Sequence, residues 1–178
     1  HKFFTKEKEG VPITTELTKQ HIRYRGHSLE ALAKYGVYTL VASDGTPKEV
    51  VYPYKSFNKH RKLDEKVFYG SGADTKAAEL FGQEVFSAGS SSAITITEGE
   101  EDAISVFEMF GLRYPAVSVR SASTAHKDCA SNFEYLNSFE KIYLSFDNDA
   151  PGQKAAAQVA TLFPFNKVHL VKLSKFKD

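Results

Sequence analysis

The second half of the chain has a regular pattern of hydrophobic and polar positions. From Ile94 onward, short apolar runs alternate with segments whose apolar residues recur at helical spacing. The predicted strands and helices alternate along the chain, at 94–97, 100–110, 116–119, 124–136, 141–146, 151–163 and 167–173. Strands that alternate with helices of this length predict a parallel sheet with right-handed crossovers.

The first half is less regular. Ser28 and Gly36 bound a short predicted helix as its N-cap and its C′ residue. Two apolar runs, 37–42 and 49–54, flank a turn-forming stretch and predict a β-hairpin. A further short helix is predicted over 75–81.

A serine-rich and glycine-rich stretch over 87–92 separates the two patterns and predicts a boundary between subdomains. We therefore expect an α/β protein. A smaller α+β subdomain would occupy residues 1–90, and a domain with a parallel sheet flanked by helices would occupy residues 91–178.

Acidic residues follow two of the predicted strands at the point where each strand ends. Glu98 and Asp102 come after the first strand of the regular region, and Asp147 and Asp149 come after the third. Because parallel strands bring their carboxyl ends to one edge of a sheet, these carboxylates should meet there. Close carboxylates repel one another by roughly 1 to 4 kcal/mol per pair. The pattern predicts a divalent cation among them, and oxygen-only ligands favour Mg²⁺ or Mn²⁺ over zinc.

Helix capping is an alternative explanation for some of these acids. Thr97 and Glu100 fit a capping box, and Glu100 and Glu101 would also be favourable with the helix macrodipole. Asp149 fits an N-cap before Pro151. Asp147 has no such explanation, and two strand–acid junctions in one sheet together favour a metal site.

A strongly basic segment covers residues 55–66, and aromatic residues lie within and just after it. One interpretation is a solvated edge strand guarded by lysines. The other is a groove that binds phosphates, with the aromatic residues near nucleobases or in the core. The candidate phosphate-binding residues are Lys59, Arg61, Lys62 and Lys66.

Composition narrows the classes of protein to which this chain can belong. The 178 residues carry 23 Lys and Arg against 22 Asp and Glu, with the basic excess before residue 94 and the acidic excess after it. A single cysteine, Cys129, excludes an internal disulfide and a cysteine-rich zinc site in this sequence. No apolar run is long enough to cross a membrane, and no P-loop motif is present. We expect a cytoplasmic setting.

Several motifs carry a resemblance to a known family. The strand-acid pattern from Glu98 to Asp102 and from Asp147 to Gly152 resembles the Toprim fold of topoisomerases, primases and some nucleases. The resemblance extends to the primase half of the bifunctional primase–helicases of T-odd phages, of which the mitochondrial helicase Twinkle is a relative. The further matching segments are Tyr24-Arg25-Gly26, Lys34-Tyr35-Gly36-Val37, Leu80-Phe81-Gly82, Tyr114-Pro115, Asn132-x-Glu134-Tyr135 and Phe139-Glu140.

The resemblance implies roles for the candidate residues. Glu98 would be the Toprim glutamate, as a metal ligand or general base. Asp147 and Asp149 would hold Mg²⁺, or Mn²⁺, with Asp102 in support. Asp178 would be a further metal ligand, after the last strand. The basic residues named above would contact NTP phosphates or the template–primer.

The resemblance also implies a reaction and partners. The chain would be a primase catalytic core that makes RNA primers from NTPs on single-stranded DNA, in a phage-infected bacterial host. Its partners would include the zinc-binding and helicase domains of the full-length protein. A Toprim-type metal-dependent nuclease and a non-catalytic, Twinkle-like nucleic-acid-binding module are the alternatives.

Overall fold

The computed structural model of the chain describes residues 16–172, and in that range nine strands form two sheets. The strands are β1 (Thr18–Gln20), β2 (Tyr38–Val41), β3 (Pro47–Pro53), β4 (Phe57–Lys62), β5 (Phe68–Gly72), β6 (Ala93–Thr97), β7 (Ala116–Ser118), β8 (Lys141–Ser145) and β9 (Val168–Leu170). The α-helices are α1 (Leu29–Lys34), α2 (Glu100–Met109), α3 (Ala125–Ser131), α4 (Phe133–Asn137) and α5 (Ala150–Ala160).

The first five strands form an antiparallel sheet in sequence order. The predicted hairpin is confirmed, because β2 pairs with β3. The basic segment forms β4, which pairs with β3 on one side and β5 on the other. Its interpretation as an edge strand is therefore wrong, since β5 is the edge strand.

The last four strands form a parallel sheet in the order β7-β6-β8-β9, as the alternating pattern predicted. Helix α2 packs over β6 and β7, and α3 and α5 contact each other. Because the chain reverses direction across the sheet after β7, right-handed crossovers place α2 and the pair α3 and α5 on opposite faces. The longest helix in the described range, α5, has 11 residues, and no helix there could span a membrane.

One apolar core joins the two sheets. Tyr35, which ends α1, stacks on Phe81 with ring centroids 5.1 Å apart and meets Phe107 of α2 edge to face. Its buried hydroxyl donates a 2.7 Å hydrogen bond to the carbonyl of Ala116 in β7. The core therefore runs across the serine-rich stretch, and a domain boundary at residue 90 stays a prediction.

The predicted helix over 75–81 is wrong. This segment has no helical turn because its backbone is used in tertiary contacts. The carbonyl of Lys76 accepts a hydrogen bond from Arg120, and the carbonyl of Ala78 accepts one from Asn132. Phe81 forms an antiparallel bridge with Ser118. These hydrogen bonds replace those that a helix would have made within the segment.

The predicted helix over 124–136 is interrupted at Asn132, and α3 and α4 lie on either side of the break. The Asn132 side chain donates to the carbonyl of Asp128 as well as to Ala78. An asparagine that competes for backbone carbonyls disfavours a continuous helix at that position.

Substitution of Gly82 tests how closely the sheets approach each other. Its φ is +83°, and a Cβ at this position would lie 2.6 Å from Cε1 of Tyr35. We expect Gly82→Ala to lower the free energy of unfolding by about 3 kcal/mol, from left-handed strain together with overlap. Urea unfolding followed by circular dichroism measures the change.

Gly45 provides a matched control. Its φ is +85°, but nothing lies within 4 Å of a Cβ placed there. Gly45→Ala should cost only about 1 kcal/mol, from the backbone strain alone. Equal losses for the two variants would contradict the close packing at Gly82.

Candidate functional site

The carboxyl ends of β6 and β8 bring the predicted acids together. Glu98 follows β6, and Asp147 follows β8, which pairs with β6 in parallel. The backbone N–H of Asp147 donates a hydrogen bond to the Glu98 carboxylate. The pKa of Glu98 is nevertheless raised, first by burial and then by the charges of Asp147, Asp149 and Asp102.

Gly152 allows this close approach. A Cβ on Gly152 would lie 2.5 Å from the carbonyl oxygen of Asp147 and 3.0 Å from Oε2 of Glu98. No larger residue fits without moving the loop after β8. The spacing of Asp147 and Gly152 in the sequence therefore has a steric reason in the structure.

Asp149 and Asp102 border the same edge. Asp149 caps α5, because its Oδ1 accepts a 2.8 Å hydrogen bond from the backbone N–H of Gly152, and the predicted N-cap is confirmed. Asp102 lies in the first turn of α2. Its pKa is raised by partial burial and by the charges of Asp147 and Glu101. Part of the Asp102 side chain remains exposed to solvent. The neighbouring charges and the partial burial both raise its pKa.

We call Glu98, Asp102, Asp147 and Asp149 the acidic edge. Its oxygen ligands have the chemistry of a divalent-cation site. Oε2 of Glu98 is buried and has no hydrogen-bond partner among the described residues. A cation would coordinate this oxygen, and carboxylate oxygens suit Mg²⁺ or Mn²⁺. Within residues 16–172, however, no three His, Cys, Asp or Glu side chains are already arranged around a common point. Asp178 lies outside the described residues.

The acids at the start of α2 have partners in the antiparallel sheet. Gly99 is the N-cap of α2, and the Thr97 hydroxyl donates to the Gly99 carbonyl, so the predicted capping box is wrong. Glu100 is 5 % exposed and accepts hydrogen bonds from the Tyr54 hydroxyl, at 2.6 Å, and from Nζ of Lys59, at 2.7 Å. The macrodipole therefore explains only part of why position 100 holds a glutamate, because Tyr54 and Lys59 also bind its carboxylate.

A second set of contacts joins α2 to the first half of the chain through His27. Its Nε2 lies 2.9 Å from Glu101, and its Nδ1 lies 2.8 Å from Glu108. The Tyr52 hydroxyl also donates to Glu101. The sequence reasoning missed this role of His27, because the contacts join residues far apart in the chain.

We call Lys59 and Arg61 of β4, with Phe68 of β5, the basic strip. Lys59 and Arg61 lie on the same face of β4, and Phe68 is the partner of Arg61 in β5. The structure does not bring all the predicted basic residues to this face. Lys62 lies on the opposite face and forms an exposed ion pair with Glu65. Lys66 is an exposed residue in the turn between β4 and β5.

Arg120 lies just beyond the carboxyl end of β7, and the sequence reasoning did not identify its role. Its guanidinium bonds both carboxylate oxygens of the fully buried Asp128. Its carbonyl oxygen accepts a 3.2 Å hydrogen bond from Lys59. The signal in the sequence was an aspartate beside Cys129 on a helical face that is otherwise apolar.

Comparison with known proteins identifies the family. A Toprim-like family model matches residues 95–178. The DNA helicase/primase of Enterobacteria phage T3 is 36% identical over 154 residues, which cover 84% of this chain and 26% of that protein. The primase fragment of the bacteriophage T7 primase-helicase superposes with a TM-score of 0.79 at 32% identity, over 95% of this chain and 74% of that one. The chain belongs to the phage primase–helicase family.

A second solved structure matches this chain. It contains the bacteriophage T7 lagging-strand DNA polymerase interacting with primase domains bound to an RNA/DNA hybrid and dTTP. The matched chain has a TM-score of 0.76 and 32% identity, with 90% of this chain and 83% of that one covered. The expected family and fold are confirmed, while the roles of individual site residues stay predictions. The chain spans about a quarter of the length of the T3 protein.

The stability of the Glu98→Gln variant should depend on pH in a defined direction. Burial and nearby carboxylates raise the pKa of Glu98 above its ordinary value of 4.5. The folded state thus holds this proton to a higher pH than the unfolded state does, and wild-type stability falls as pH rises through that window. Glutamine lacks this titration. In EDTA, we expect Glu98→Gln to gain stability relative to wild type between about pH 4.5 and pH 7.

Urea midpoints at the two pH values measure this difference. Glu140→Gln is the matched control, because Glu140 is exposed and lies just before β8, at the opposite end of the parallel sheet. A Glu98→Gln difference that changes with pH no more than the Glu140→Gln difference would contradict the raised pKa.

Proposed function

We propose that this chain is the catalytic core of a DNA primase, which extends an RNA primer on single-stranded DNA by nucleotidyl transfer from NTPs. The observation that carries the proposal is the position of Lys59. Its Nζ contacts Glu100 at the start of α2 and the carbonyl of Arg120 after β7. The basic strip therefore lies at the carboxyl ends of β6 and β7, beside the acidic edge of the parallel sheet.

The acidic edge and the basic strip each suit one part of the reaction. In nucleotidyl transfer, the primer 3′-hydroxyl attacks the α-phosphorus of the NTP, an O–P bond forms, and the bond to pyrophosphate breaks. As an alternative to binding a cation, Glu98 would accept the hydroxyl proton as general base. Arg61 is suited to hold phosphates, since its guanidinium offers several donors in one plane.

The acids would also bind the cofactor of the reaction. Glu98, Asp147 and Asp149 would hold Mg²⁺ or Mn²⁺, with Asp102 and Asp178 in support. A bound cation would lower the pKa of the attacking hydroxyl and neutralise charge on the leaving pyrophosphate. The buried, unpartnered Oε2 of Glu98 supports this assignment.

The family supports the proposed partners. The T3 relative is a helicase/primase of which this chain matches one part, and a matched T7 structure holds primase domains bound to an RNA/DNA hybrid. We propose that the chain acts on a single-stranded DNA template and an RNA primer. Within a longer protein, a zinc-binding domain and a helicase domain would accompany it.

A primer-extension assay tests the reaction. The chain is incubated with a labelled short RNA annealed to single-stranded DNA, with NTPs and Mg²⁺ or Mn²⁺. The RNA should lengthen, and Asp147→Asn should slow extension by about 100-fold, because the loss of one metal ligand removes about 3 kcal/mol of transition-state stabilisation. Glu140→Gln, at the other end of β8, should extend at the wild-type rate.

Other outcomes of this assay identify the alternatives. A shortened strand that depends on Asp147 would make the chain a Toprim-type nuclease. Retardation of the hybrid on a gel without any change in its length would make it a non-catalytic binding module. An annealed primer bypasses template recognition, so inactivity could not be attributed to failed initiation.

The salt dependence of binding tests the role of Arg61. If Arg61 neutralises one phosphate, Arg61→Gln should weaken hybrid binding and reduce the slope of log K against log salt by about 1. Lys141→Gln is the control, because Lys141 is an exposed residue at the amino end of β8. Fluorescence anisotropy of a labelled hybrid measures both slopes. An unchanged slope for Arg61→Gln would exclude a direct phosphate contact.

A further inference from the structure

Phe68 is an aromatic residue that the core does not use. Its side chain lies on the edge strand of the antiparallel sheet and is 51 % exposed, whereas Phe57 on the neighbouring strand is buried. Phe68 faces the same side of the sheet as Arg61, its partner in the register. The ring thus lies in the basic strip with half of its surface open to a ligand.

Two cationic side chains lie near the ring of Phe68. Nζ of Lys59 lies 5.3 Å from the ring centroid of Phe68, and Cζ of Arg61 lies 5.6 Å from it. Arg61 also lies 6.0 Å from the ring centroid of Tyr24. Cations over a ring face fix the orientation of the ring. They also create a positive potential that attracts a phosphate backbone.

The two cations differ in how their charge is balanced. Lys59 is paired with Glu100. Arg61 forms no ion pair with any described residue, and its buried Nε has no hydrogen-bond partner there. The charge beside Phe68 that remains for a ligand is therefore that of Arg61.

We propose that Phe68 stacks on a nucleobase of the primer–template hybrid while Arg61 binds the adjacent phosphate. An aromatic platform next to an unpaired guanidinium matches the two parts of a nucleotide, its flat base and its anionic backbone. This inference rests on the proposed primase function and adds a positioning contact that is independent of the metal chemistry. The competing explanation is that Phe68 only covers the aliphatic stems of Lys59 and Arg61.

The sequence contains no tryptophan, so Phe68→Trp introduces a single fluorescent reporter at this position. Addition of a short RNA–DNA hybrid should quench its emission, because a stacked base quenches indole fluorescence. A base-free phosphodiester oligomer of the same charge should not quench it. Phe165→Trp is the matched control, because Phe165 is 99 % exposed and precedes β9 at the amino end of the parallel sheet. Its emission should not respond to either ligand.

A second pair of variants measures the energetic effect. Phe68→Leu should weaken hybrid binding roughly 5- to 100-fold, the range expected for loss of one base stack, with an unchanged salt slope. Phe68→Tyr should bind like wild type, because it keeps the ring. Urea midpoints near that of wild type establish that the variants are folded.

Anisotropy of a labelled hybrid distinguishes failure of the stacking role from failure of the proposed function. Binding without hybrid-specific quenching, or with equal affinity for Phe68→Leu and wild type, would overturn the stacking role and leave the proposed function intact. If wild type bound no hybrid at all, the proposed function would fail together with the inference.

Discussion

The buried carboxylate of Glu100 controls how the two sheets of this protein fit together. A carboxylate that loses water is strongly destabilising unless charged or polar groups replace that water. Its partners, Lys59 and Tyr54, come from the antiparallel sheet, while Glu100 itself begins the helix after β6. The sheets can bury this side chain only in one relative position. That position places the basic strip beside the acidic edge.

The same helix carries acids with opposite electrostatic environments. Glu108, which bonds Ser28 and His27, has a lowered pKa despite its partial burial. The pKa of Asp102 and that of the nearby Glu98 are raised, first by loss of water and then by the charges of other carboxylates. Contacts on one side of α2 therefore stabilise the fold, while repulsion at its start favours a cation. This division separates the residues that assemble the domain from those that we propose to act in catalysis.

The sequence predicted those parts of the structure that depend on local pattern. The parallel sheet followed from alternating strands and helices, and the acids followed from abrupt strand ends. The errors arose where long-range contacts override local preference. Residues 75–81 have a helical composition, but Arg120 and Asn132 take their carbonyls. Thr97 fits a capping box, but its hydroxyl bonds the Gly99 carbonyl. The contacts of His27 join residues far apart in the chain, and no local pattern predicts them.

The continuous core has a consequence for the order in which a ribosome makes this domain. The antiparallel sheet is synthesised first, but Tyr35 bonds Ala116, and Phe81 pairs with Ser118. At roughly 5–20 residues per second, the aromatic face of the nascent sheet waits several seconds for these partners. Until β7 has emerged, that face is exposed to other nascent chains and to chaperones. The first half of the domain therefore completes its core only after the second half has been made.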